Sequence, residues 1–119
     1  MKLKAVTLDK TYIPEFNGNR DLPKEEQVTV EIKRHISNVE MSQYKKFISR
    51  RDGSYTIEYD DPKIMAIHVG AIKNLQVGDA VIKSGVDLGD SDQTVLYDLM
   101  IEIRNYLLNA AEALPEGES

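Results

Sequence analysis

Polar and apolar residues alternate most cleanly over residues 28–33, where Val28, Val30 and Ile32 interleave with Thr29, Glu31 and Lys33. A period of two marks a strand with one buried and one wet face. Tyr55, Ile57 and Tyr59 alternate with Thr56 and Glu58 in the same manner. Leu75-Gln76-Val77 and Val81-Ile82, separated by Gly78-Asp79, predict a small hairpin. Ala5-Val6-Thr7-Leu8 predicts a short opening strand.

Helical spacing takes over elsewhere. Ser37-Asn38-Val39-Glu40 has the spacing of a capping box, in which the serine caps an amide and the glutamate reaches back. The helix it opens is expected to run to about Ser49, with Met41, Tyr44, Phe47 and Ile48 on one side and Arg50-Arg51-Asp52-Gly53 as the turn after it. Asp61-Pro62 predicts a second start, an N-cap carboxylate followed by proline at the first helical position. Ile64, Ile67, His68, Ala71 and Ile72 continue it, although Gly70 is a poor helix former and a strand can begin there. Gly85 to Asp92 reads as a loop ending in serine and aspartate caps.

The strongest periodicity comes last. Leu96, Leu99, Met100, Ile103, Tyr106, Leu107, Ala110 and Leu114 form one broad stripe, predicting a helix of roughly six turns from Asp92 to about Ala113. Pro115 and Gly117 end it, leaving 115–119 as a frayed tail. The whole reads as one α+β domain over 1–114, with four to five short strands in an antiparallel sheet, a long C-terminal helix across it, and one or two shorter helices.

Two features do not fit a simple core. Residues 9–26 hold Pro14, Gly18, Pro23, Asn17 and Asn19, a stretch longer than most loops of compact domains. Tyr12, Ile13 and Phe16 within it need somewhere to pack, so it reads as an ordered arm or docking loop. The last helix is also too apolar for one packing face. Tyr97, Ile101 and Leu108 fall beside the main stripe, on a flank that a single face would leave wet. They are expected either to contact a partner, a second copy included, or to lie under the arm. Tyr12, Ile13, Phe16, Tyr97, Ile101 and Leu108 are thus the candidate partner-binding residues.

Composition narrows the chemistry. The 119 residues suffice for one sizeable core. A net charge of -5 argues against nucleic acid as the main partner, since phosphate neutralisation needs a basic surface. Lys45-Lys46 and Arg50-Arg51 form a local basic run, expected at a helix C-terminus where cations oppose the dipole. The absence of cysteine removes disulfides and thiolate sites and fits a reducing compartment. Neither signal peptide nor membrane-length apolar run is present, so a soluble protein of the cytoplasm is expected.

His35 and His68 are too few for a zinc site. The acidic stretch Asp87-Leu88-Gly89-Asp90-Ser91-Asp92 lacks the glycine and terminal glutamate positions of a calcium loop. With no phosphate loop, dinucleotide fingerprint or nucleophile elbow, the expectation is a protein that is not an enzyme and takes no cofactor.

Tyr12-Ile13-Pro14-Glu15-Phe16-Asn17-Gly18-Asn19-Arg20, with Leu22-Pro23 and Glu26-Gln27-Val28-Thr29-Val30, resembles the opening of small morphogenesis proteins of tailed bacteriophages and prophages. Lys73-Asn74-Leu75, Asp87-Leu88 and Leu99-Met100-Ile101-Glu102-Ile103 are similar to the same group. The resemblance implies a tail assembly chaperone acting in the host cytoplasm, or alternatively a structural virion component forming a symmetric oligomer. Partners would then be other phage structural proteins of tail-tube or tape-measure type. No catalytic residues carry over.

Overall fold

The computed structural model describes residues 1–2 and 10–111, with side chains described through 109. The strand expected over Ala5–Leu8, the Ala110 and Leu114 positions of the stripe, and the tail 115–119 fall outside the described side chains or residues. The fold is α+β. Its described strands number six, divided between two antiparallel sheets rather than gathered in one.

The larger sheet has the order β1-β2-β5-β6, from Thr11–Tyr12, Thr29–Ile32, Val69–Val77 and Ala80–Ser84. Strand β2 buries Val30 and Ile32 as its alternation requires. Strand β5 instead buries Val69, Ile72 and Leu75, every third residue. The cause is an irregularity: Ala71 pairs with Ser84 but Leu75 with Ile82, so β5 carries extra residues between these pairs. Asn74 takes a left-handed φ of 64° within that stretch, and its Nδ2 donates to the carbonyls of Glu25 and Gln27.

Four α-helices among the described residues complete the core. Helix α1, Asn38–Tyr44, opens with the expected capping box between Ser37 and Glu40. It stops at Tyr44, however, and Lys45–Ser49 is strand β3 rather than more helix. Helix α2, Asp61–His68, is capped by Asp60, whose carboxylate accepts from the Lys63 amide, so Asp61 lies inside the helix instead of capping it. Residues 85–90, expected as loop, form α3, Gly85–Asp90, capped by Ser84. Helix α4, Tyr97–Ala111, begins five residues after Asp92, behind a 3-10 turn at Thr94–Leu96.

Glycines in α3 look wrong for a helix until α2 is considered. A Cβ at Gly85 would overlap the carbonyl oxygens of Met65 and Val69, and one at Gly89 would come within 2.6 Å of the Pro62 oxygen. The two backbones touch, and only glycine permits it. One cluster then joins the sheet (Val30, Ile32, Ile72, Leu75, Ile82) to the helices (Ile64, Met65, Leu88, Leu99, Ile103, Leu107).

His68 is fully buried in this cluster. Its Nδ1 lies 3.1 Å from the Arg34 carbonyl, which can only accept, so the ring proton sits there. Nε2 then lies 2.9 Å from the Tyr44 hydroxyl as an acceptor, sharing that hydroxyl's proton with the Glu40 carboxylate 3.2 Å away. Burial holds the imidazole below its ordinary pKa, against the opposing pull of the Glu40 carboxylate. His35, by contrast, is exposed.

The long arm folds back onto the body. Glu102 of α4 accepts from the Tyr12 hydroxyl at 2.6 Å, the Glu15 amide at 2.8 Å and the Phe16 amide at 2.9 Å. Tyr12 stacks on Tyr106 with ring centroids 4.2 Å apart. Asn17 and Gly18 turn the chain with successive positive φ of 50° and 73°. Asn19 is buried and works as an internal clip: its Nδ2 donates to the carbonyls of Pro14 and Val28, and its Oδ1 accepts from the Val28 amide.

Candidate interaction surface

Among the described residues, strand β3, Lys45–Ser49, and β4, Tyr55–Tyr59, pair only with each other. Directly paired residues share a face, so the register Lys45↔Tyr59, Phe47↔Ile57 and Ser49↔Tyr55 places Phe47, Ile57, Tyr55 and Tyr59 together. The opposite face holds the pairs Lys46↔Glu58 and Ile48↔Thr56. The apolar face is largely uncovered: Phe47 is 66% exposed, Tyr55 64% and Ile57 44%. The rings of Phe47 and Tyr55 meet at 5.7 Å and keep that face continuous. A lone two-stranded ribbon is marginal in water, and this one presents aromatic side chains as well as two edges that no other described strand pairs.

The base of the ribbon is well tied. Arg104 of α4 pairs with Asp61 of α2, Nε to Oδ1 at 3.0 Å, with both side chains mostly buried. Its guanidinium also lies over the Tyr59 ring at 4.7 Å. Burial raises the Asp61 pKa, and the Arg104 charge opposes that rise. These contacts fix α2, α4 and β4 relative to one another.

Between ribbon and α4 lies an open groove of about 600 Å³, lined by Ile57, Tyr59, Pro62, Tyr97, Met100 and Ile101 with Glu58, Asp61 and Arg104. It joins the apolar face of the ribbon at Ile57. Tyr97 is 48% exposed and Ile101 39%. Both stand on the groove side of α4, whereas the arm contacts Glu102 and Tyr106, roughly 100–180° around the helix at 100° per residue. The arm therefore does not cover Tyr97 and Ile101. Leu108 is half-buried and packs against the core, so it is not part of the open patch.

The arm residues divide as well. Tyr12 and Phe16 pack against the core cluster, while Ile13 remains 37% exposed. The basic run is not at a helix terminus: Lys45 and Lys46 lie on β3, and Arg50 and Arg51 sit at the ribbon's tip. Periodicity does not reveal Phe47 and Ile57: the spacing puts Phe47 on a helix and Ile57 on the buried face of a strand, whereas both lie on the exposed face of the ribbon. Among the described residues, no three His, Asp or Glu side chains come close enough to hold a metal ion, and no helix is long and apolar enough to cross a membrane. Comparison with protein-family models, curated proteins and solved structures finds no match to this chain.

Proposed function

We propose that this protein is a non-catalytic, protein-binding factor of tailed-phage morphogenesis that engages other structural proteins through the ribbon and groove. The observation that carries the reading is the extent of uncovered apolar surface. With about 200 Å² per aromatic side chain and about 100 Å² per isoleucine, Phe47, Tyr55, Ile57, Tyr97 and Ile101 together expose roughly 400 Å². A patch of that size matches the largest apolar patch of a typical monomer, which is often functional. The surrounding scaffold is ordered and tied by Arg104 and Asp61, which favours a prepared site over an incidental one.

The phage assignment is supported by the resemblance of residues 12–30 and 99–103 to morphogenesis proteins. Tail assembly chaperoning fits the modest area, since a cover that must leave again needs limited affinity. A permanent virion subunit is favoured by one particular feature, the ribbon, a separate two-stranded sheet with an exposed apolar face. Co-expression with tail-tube and tape-measure proteins of tailed phages tests the assignment. One of them is expected to co-purify with the native chain and to be lost with Phe47→Asp combined with Ile101→Asp. Failure of both to bind the native chain would overturn the reading.

A further inference from the structure

We infer that the ribbon-and-groove surface docks a second copy of this chain, as a two-fold dimer in which the two ribbons lie antiparallel, apolar face to apolar face. The inference rests on the reading of this surface as a protein-binding site and names one occupant for it. Three observations carry it.

The first is area. Roughly 400 Å² of apolar surface per copy is about half of the ~800 Å² that each partner gives to a standard interface, and such interfaces are only about 56–65% apolar. A polar rim around the patch completes the requirement.

The second is charge. Residues 45–59 carry Lys45, Lys46, Arg50 and Arg51 against Asp52 and Glu58, a balance of +2, whereas the chain totals -5, leaving -7 elsewhere. Ribbons aligned in parallel would bring the Arg50-Arg51 tips together. Antiparallel ribbons separate the tips and set each beside the other copy's groove, where Glu58 lies and where Arg104 already pairs with Asp61.

The third is self-complementarity. The patch is itself a ribbon face continuous with a groove, so one surface supplies both the inserted element and its receptor. Isologous two-fold pairing needs only that, and it is the commonest oligomer symmetry. The Phe47↔Ile57 pair would lie near the axis, and Tyr55 of each ribbon would approach Tyr97 and Ile101 of the other copy.

Light scattering on a size-exclusion column, run with purified chain alone over a wide concentration range, tests the dimer. The expected result is a dimer that weakens with added salt, with Phe47→Asp raising its Kd at least about thirtyfold, the loss typical of a central aromatic anchor. Tyr97→Asp, on the helix wall of the groove, gives the same loss independently of the ribbon's own folding, and far-UV circular dichroism verifies both variants. Orientation is read by mixing two variants of this cysteine-free chain, Tyr55→Cys and Ile101→Cys. A disulfide-linked dimer should form in the mixture and not in either alone. A monomer at every concentration, a dimer indifferent to both aspartate substitutions, or a larger closed oligomer would overturn the inference. If the chain is monomeric yet still captures a tail protein through Phe47 and Ile101, the second copy is refuted while the proposed function stands. If it dimerises but binds no tail protein, the reverse holds.

Discussion

Replacing Glu102 with alanine should release the arm at a cost that can be worked from three distances. Its carboxylate accepts from the Tyr12 hydroxyl at 2.6 Å and from the amides of Glu15 and Phe16 at 2.8 and 2.9 Å. Hydrogen bonds to a charged group are worth about 1.5–3 kcal/mol net when well shielded. Here the site is only part-buried and water can re-solvate the freed amides, so about 1 kcal/mol each is the appropriate figure. The total, about 3 kcal/mol, is a large share of a small domain's ~5–15 kcal/mol. At about 4 °C per kcal/mol, Tm should fall by about 12 °C. Glu102→Gln keeps a neutral acceptor and should lose only about 1 kcal/mol.

Urea unfolding followed by circular dichroism gives the magnitude, and hydrogen exchange at the Glu15 and Phe16 amides shows whether the arm is what came loose. Burial, then the Glu102 hydrogen bond and charge, hold the Tyr12 phenol well above its usual range. Raised in the fold, it favours the native state fully below about pH 10, and that contribution is lost as pH climbs through the folded value. An alanine variant within about 0.5 kcal/mol of wild type, or one with unchanged Phe16 protection, would show that Glu102 does not hold the arm.

Two further outcomes follow from the core. Gly85→Ala should destabilise by at least about 2 kcal/mol, because a Cβ there meets the Met65 and Val69 carbonyls; helix propensity alone gives the opposite sign, a gain of about 1 kcal/mol, so the urea midpoint decides between them. His68 is buried neutral with its pKa lowered, so below about pH 6.5 the unfolded chain takes up a proton that the native one refuses. Stability should therefore fall from pH 7 to pH 5, more steeply in wild type than in His68→Gln, and equal slopes would remove His68 from the account.

Elements governed by local chemistry were legible. The Ser37–Glu40 box, the alternation through Val30 and Ile32, the Gly78-Asp79 hairpin and the stripe of α4 all depend on residues a few positions apart. The misreadings share a different cause. Met41, Tyr44, Phe47 and Ile48 are spaced for a helix, but Lys45–Ser49 finds a strand partner in Tyr55–Tyr59, and five cross-strand pairs outweigh the helical spacing. Gly85 and Gly89 argued against a helix in isolation; their reason is the backbone of α2, some twenty residues away. The same limit hid half of the candidate surface. Tyr97 and Ile101 were visible as surplus on one helix, whereas Phe47 and Tyr55 join them only once the ribbon exists.

The clasp between the arm and α4 also imposes an order of events in the cell. Tyr12 and Glu102 are 90 residues apart in the chain. At synthesis rates of about 5–20 residues per second, roughly 5–20 s pass between the appearance of the tyrosine and that of its acceptor. Throughout that interval Tyr12 and Phe16 have no helix to lie on, so the nascent chain carries both aromatic residues without their partner surface until α4 has been made.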